Sequence, residues 1–123
     1  MYNTQPILNV PMPLLAVRRH DWLDEVTDFV NDQLDNPQLS VAMVAEQFDL
    51  SARQFQRRIR AASGESPAEF IRNRRLDQAH DHLTNQRYHT IKETSVAVGF
   101  QDRRYFSEQF HKRFGCLPSE IAP

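Results

Sequence analysis

The sequence predicts an all-α fold, and three observations carry that prediction. Capping residues mark five helix starts within about 65 residues, apolar side chains recur at three- and four-residue steps, and there are only three glycines and no alternating apolar–polar run. At 123 residues the chain has room for one domain, or for two very small helical cores that share an element.

The elements follow in order. Residues 1–19 contain Pro6, Pro11 and Pro13 without a sustained period and are expected to form a linker or tail, leaving 20–123 as the folded domain. Trp22, Val26, Phe29, Val30 and Leu34 space a helix over about 21–35, and Asn36 followed by Pro37 stops it. Ser40 caps a short helix over Val41–Phe48. Ser51 with Gln54 forms a capping box for a helix to about Ala62, closed by Gly64, with Phe55, Ile59 and Ala62 on one face. Ser66, Pro67 and Glu69 supply the N-cap, the first-turn proline and the third-position glutamate of a long helix reaching about Thr84. Its buried stripe is Leu76, Ala79 and Leu83, and one of its arginines, Arg75 in particular, is expected to pair with an acid of a neighbouring helix. Thr90 with Glu93 opens another short helix. Asp102 caps a helix that ends at Gly115 and buries Phe106, Phe110 and Phe114, and a seventh short turn begins near Ser119.

A repeat lies within this order. Ala45, Ser51, Phe55 and Ile59 give a short helix, a turn, a cap, and apolar residues four and eight positions after the cap. Ser95, Asp102, Phe106 and Phe110 repeat the layout with one extra residue in the turn. Two copies of helix, short turn and capped helix are two helix-turn-helix units, joined here by the long helix.

The charge pattern suits such a reading better than the total does. The net charge is −1, but residues 1–39 carry two arginines against six acids, whereas Ser51–Arg60 holds four arginines and no acid. Local fields govern contacts over a Debye length of roughly 8 Å. Arg53, Gln56, Arg57 and Arg60 share one face of the first capped helix, and Arg and Gln offer the paired groups that distinguish guanine and adenine edges in a major groove. Arg58 and Arg60 are expected to lean on phosphates. The second capped helix exposes Arg103, Arg104, Ser107, Glu108 and His111. There Glu108 either accepts from a cytosine amino group or pairs with Arg104 or Lys112. A solvated basic helix face is the plainer account of either surface. The long helix, at 1.5 Å per residue, spans roughly 27 Å, near the spacing of about 34 Å between successive major grooves on one side of DNA.

Other function classes find less support. Cys116 is the only cysteine, so it makes no intrachain disulfide and has no base or orienting partner in the sequence, which leaves it a bystander thiol. The histidines lack metal-ligand spacing, and neither metal nor cofactor is expected. No run of about 18 apolar residues spans a membrane, and the chain is expected to be cytoplasmic. A helical adaptor that binds protein through its acidic first helix is the rival reading, but it leaves the arginine-bearing faces unexplained.

One set of residues resembles a known family. Gly64 to Ile71 (Gly-Glu-Ser-Pro-Ala-Glu-Phe-Ile), Arg75 and Leu76 with Ala79 and Leu83, Val98-Gly99-Phe100, Asp102, Tyr105-Phe106-Ser107 with Phe110, and Phe114-Gly115 with Leu117-Pro118-Ser119 are similar to the DNA-binding domain of bacterial AraC/XylS-type transcription regulators. The resemblance covers about Asp21–Ile121. It implies a seven-helix double helix-turn-helix fold whose two reader helices enter adjacent major grooves of double-stranded DNA, with RNA polymerase as a further partner. By position it assigns base contact to Arg53, Gln56 and Arg57 in the first reader, and to Arg103, Arg104, Ser107 and Glu108 in the second. It also implies a monomeric output domain of a longer regulator, with any oligomerisation through an upstream domain. Thr94 and Ser95 stand where such domains usually carry an apolar pair, Arg104 stands where Ser is common, and Asp49 replaces a common turn glycine. The hydroxyl pair is expected to loosen the second unit.

Overall fold

A computed structural model describes residues 21–121, so the expected tail over 1–19 lies outside the described residues. Among the described residues seven helices follow one another: α1 (Trp22–Asp32), α2 (Val41–Gln47), α3 (Ala52–Ser63), α4 (Pro67–Thr84), α5 (Ile91–Ala97), α6 (Arg103–Phe114) and α7 (Pro118–Ile121). No strand occurs among the described residues.

The starts are where the capping chemistry puts them. Ser51, Ser66 and Thr90 each accept from the amide three residues on, while Gln54, Glu69 and Glu93 reach back to the cap amides. Ser40 accepts from the Met43 amide and Asp102 from the Tyr105 amide, so each of these helix ends has a satisfied first-turn donor. Gly64 and Gly115 close α3 and α6 in the left-handed conformation, with φ of 79° and 76°.

Two differences from the sequence reading have simple causes. Helix α1 stops at Asp32, short of Asp35, because the Gln33 amide turns back to the Val30 carbonyl. The chain then folds over Asn36, whose side chain accepts from the Gln38 amide across Pro37. Leu34 is buried just past the helix end, so its place in the core owes nothing to helical period. Ala62, aligned with Phe55 and Ile59 by spacing, is exposed one turn beyond the core, which ends at Ile59.

There are two cores. Val26, Val30, Val44, Phe55 and Ile59 centre the first, and Val98, Phe106 and Phe110 the second. Helix α4 belongs to both: Phe70 and Ile71 enter the first, and Leu76, Ala79 and Leu83 the second. It packs against each of the other six helices, and every substantial helix pairing either includes α4 or stays within one unit. Each fully buried Phe or Leu contributes about 1.5–3 kcal/mol, so α4 is held firmly at both ends.

The two helix turns share one backbone plan. The Leu50 amide donates to the Ala45 carbonyl and the Phe100 amide to the Ser95 carbonyl, both at 2.9 Å. Each turn has one residue with positive φ, Asp49 at 58° and Gly99 at 94°.

Candidate nucleic-acid interface

Helix α3 buries Phe55 and Ile59, which leaves Arg53, Gln56, Arg57 and Arg60 exposed on the remaining surface, as their spacing requires. Arg53, Gln56 and Arg57 have no ion-pair or side-chain hydrogen-bond partner among the described residues, so their donors are free for another molecule. Glu69, near Arg60, has its carboxyl held below the usual range, chiefly by the Ser66 amide and hydroxyl and to a smaller extent by Arg60 and Arg72. Arg58, expected to lean on a phosphate, is exposed and also has a partner within the chain. Its guanidinium lies 4.4 Å above the Trp22 ring, which also meets Phe55 edge-on at 5.9 Å. Arg58 therefore covers the junction of α1 and α3.

Helix α6 presents a different surface. Arg103, Arg104 and Glu108 are exposed, but Ser107 is half-buried, against the expectation that all of this face would be open. It lies one residue beyond the buried Phe106, at the margin between the apolar side and the solvent side. Arg104 Nε stands 3.5 Å from a Glu108 oxygen, one helical turn away. Of the two roles open to Glu108, this is the pairing within α6. Such an exposed pair contributes only about 0.3–0.5 kcal/mol, so a DNA contact can displace it at little cost. Phe114, expected in the core, is half-buried and rests on Phe110 and on the His80 ring, each 4.6 Å away.

The arginines of α4 correct one expectation. Arg75 is buried but pairs with no carboxylate among the described residues: it donates to the carbonyls of Leu34, Val98 and Asn36. The ion pairs go to Arg74, which reaches Glu65 at 3.7 Å and Asp77 at 3.4 Å. Arg113 of α6 forms a two-pronged pair with the same Asp77, at 2.7 and 3.1 Å, and this hydrogen bonding raises the Arg113 pKa. Arg74 to Asp77 has helical i, i+3 spacing that the sequence shows. Arg113 to Asp77 spans 36 residues and leaves no local trace.

Among the described residues, no group of three or more His, Cys, Asp or Glu side chains gathers in a metal-binding arrangement. His80 faces Phe110 and Phe114, while His82 meets Tyr88, so the two histidines point apart as their spacing predicts.

With two like-built helix-turn-helix units on one connecting helix established, comparison with known proteins decides the family. A helix-turn-helix domain family matches residues 44–122. The chain belongs to the AraC-type helix-turn-helix family. It is 35% identical over 78 residues to the HTH-type transcriptional activator RhaS of Salmonella arizonae, covering 63% of this chain and 28% of that protein. The chain thus spans little more than a quarter of the length of the curated relatives it matches. Among solved structures, a transcriptional regulator with an AraC-type DNA-binding domain from Chromobacterium violaceum is 26% identical, with a TM-score of 0.74 over 80% of this chain and 87% of that one. The DNA-binding domain of AdpA, solved in complex with a target DNA, is 27% identical, with a TM-score of 0.73 over 81% of this chain and 88% of that one. As an AraC-type domain the chain is a transcription-regulator module, in a family of regulators rather than enzymes, and the helical-adaptor reading is not favoured.

Proposed function

We propose that the chain is the DNA-binding output domain of a longer transcription regulator, and that it sets α3 and α6 into successive major grooves on one side of duplex DNA. One observation carries this reading: two capped helices, each with an exposed arginine-bearing face, are mounted on the two halves of an 18-residue helix. That helix is about 27 Å long, and successive major grooves lie about 34 Å apart.

In this reading Arg53, Gln56 and Arg57 read base edges in one groove, and Arg60 holds a phosphate beside it. Arg103 and Arg104 contact base or phosphate in the next groove. Ser107 supplies a shorter-reaching hydroxyl, and Glu108 accepts from a cytosine once Arg104 has turned to the DNA. The domain acts as a monomer in the cytoplasm and positions RNA polymerase. Residues 1–19 connect it to an upstream domain, through which any oligomerisation occurs. No helix among the described residues is long and apolar enough to cross a membrane.

Site selection from random duplexes with the 123-residue chain tests the proposal. The expected product is a two-part motif whose halves lie about one helical turn apart, bound with a steep negative slope of log affinity on log salt. Deletion of two residues from α4 should rotate one reader by about 200° relative to the other and abolish protection of one of the two grooves. Absence of any enriched motif, or two-groove protection by the folded deletion variant, would count against it.

A further inference from the structure

Both units pack on α4, but one buried side chain also joins their backbones. Arg75 is 7% exposed. Its Nη1 donates to the Leu34 carbonyl and, at 2.7 Å, to the Val98 carbonyl, while Nη2 donates to the Asn36 carbonyl at 3.1 Å. Leu34 and Asn36 lie in the α1–α2 connection of the first unit, and Val98 is the C-cap of α5 in the second. All three acceptors are neutral. What compensates the buried cation is the partial negative charge of carbonyls at and just beyond the C-terminal ends of α1 and α5. Burial draws the guanidinium pKa down from its ordinary value.

Gly99 completes the arrangement. A Cβ at this position would overlap the Arg75 guanidinium and the Leu34 carbonyl oxygen, so the second turn comes this near the first unit only because it has no side chain there. Apolar packing against α4 is non-directional and tolerates small rotations, whereas a planar guanidinium with fixed donors does not. The ion pairs Arg74 to Glu65, Arg74 to Asp77 and Arg113 to Asp77 run between the units through side chains of α4, with Glu65 acting on Arg113 through space, and none of them bonds the backbone of either unit.

We propose that Arg75 is a positioning residue that sets the angle between the two helix-turn-helix units, and through it the groove spacing that the pair of reader helices accepts. The angle is a property of the fold, while the groove spacing rests on the reading of α3 and α6 as paired DNA readers.

Two measurements test it. In the full chain with Cys116→Ser, spin labels at Ala61→Cys and Lys112→Cys report the α3-to-α6 distance without DNA. The expected distribution is narrow with Arg75 in place and broader and shifted with Arg75→Met. Gly99→Ala should behave like Arg75→Met, because its methyl occupies the guanidinium's space. Arg75→Lys keeps the charge without the planar fork, so it should give an intermediate width, and it should stay folded even if the Met variant unfolds. Unchanged distributions in Arg75→Lys and Gly99→Ala overturn the proposal. So does global unfolding of Arg75→Lys, since the residue would then hold the fold rather than set its angle.

The second measurement uses duplexes carrying both halves of the selected motif, one half scrambled, or about five extra base pairs, half a turn, between the halves. Arg75→Lys should lose about tenfold of the advantage of the two-part duplex over the one-part duplex, because a looser linkage lowers the effective concentration of the second reader. Its dependence on spacing should flatten, with one-part affinity unchanged. A wild-type advantage in Arg75→Lys overturns the spacing claim. A wild-type chain that binds neither duplex overturns the DNA-reading proposal instead, and the distance measurement still decides the angle.

Discussion

The two helix-turn-helix units have the same backbone and different chemistry. In the first, α2 buries Val44 and Ala45 under the reader helix. In the second, α5 buries Thr94 and Ser95 at the matching positions, 0% and 2% exposed. The sequence expectation was that this hydroxyl pair would loosen the second unit. The geometry gives both hydroxyls a place: Thr94 donates to the Thr90 carbonyl at 3.1 Å and Ser95 to the Lys92 carbonyl at 2.9 Å, within their own helix. The readers differ in the opposite sense. On α3 Arg53 and Arg57 have no ion-pair partner among the described residues, whereas on α6 Arg104 is already paired with Glu108. A repeated fold therefore fixes where residues stand and leaves their chemistry free to diverge.

The largest break should come from the cores. Phe55→Ala and Phe106→Ala each remove a ring that is at most 1% exposed and should cost about 3–5 kcal/mol in urea unfolding. Because α4 is shared, each loss should destabilise both units together. Separate transitions from probes placed in the two units would show that α4 does not couple them.

The readers come next. Arg57→Ala should weaken binding to the selected motif by about 1–3 kcal/mol and relax preference at one base pair. Arg104→Ala should cost less, under about 1 kcal/mol net of its Glu108 pair. An equal loss from both, measured on the same duplex, would erase the distinction between a free and a paired reader arginine.

An exchange of the buried hydroxyl is a finer test. Val44→Thr should destabilise by about 1–2 kcal/mol by placing a hydroxyl in an apolar site. Thr94→Val should be neutral or stabilising by up to about 1 kcal/mol, because the Thr90 carbonyl keeps its bond from the Thr94 amide. A marked loss in thermal stability for Thr94→Val would mean that its hydroxyl holds the second unit together.

The smallest expected effect concerns pH. All four histidines among the described residues follow α3, and the His82 pKa is drawn below 6.5, first by burial and then by the nearby Arg87. The folded state therefore takes up this proton less readily than the unfolded chain does. The stability involved is present above the unfolded pKa and is lost as pH falls through the folded value, so a slight decline is expected between about pH 7 and pH 5. His82→Gln should flatten the melting temperature over that window, and an unchanged slope would assign it to other groups.

Much of this was legible in the sequence, because it rests on local rules. A cap and its partner three residues on lie within one turn, so Ser51 with Gln54, Ser66 with Glu69 and Thr90 with Glu93 mark helix starts without reference to the fold. Helical period then assigns Phe55 and Ile59 to the core and Arg53, Gln56 and Arg57 to the surface. The length of α4 follows from the same short-range geometry.

Only the tertiary structure decided which partners distant residues would find. Arg75 carries the same charge as Arg74, and although the i, i+3 spacing of Arg74 and Asp77 is visible locally, nothing in the local pattern shows that Arg75 is buried against three carbonyls. Leu34 enters the core from beyond its helix, and Arg58 covers Trp22 instead of remaining free. Local order specifies which way each side chain faces along its own helix. What it meets there depends on how α4 brings together segments separated by 23 to 41 residues, and that closure is a property of the whole packed chain.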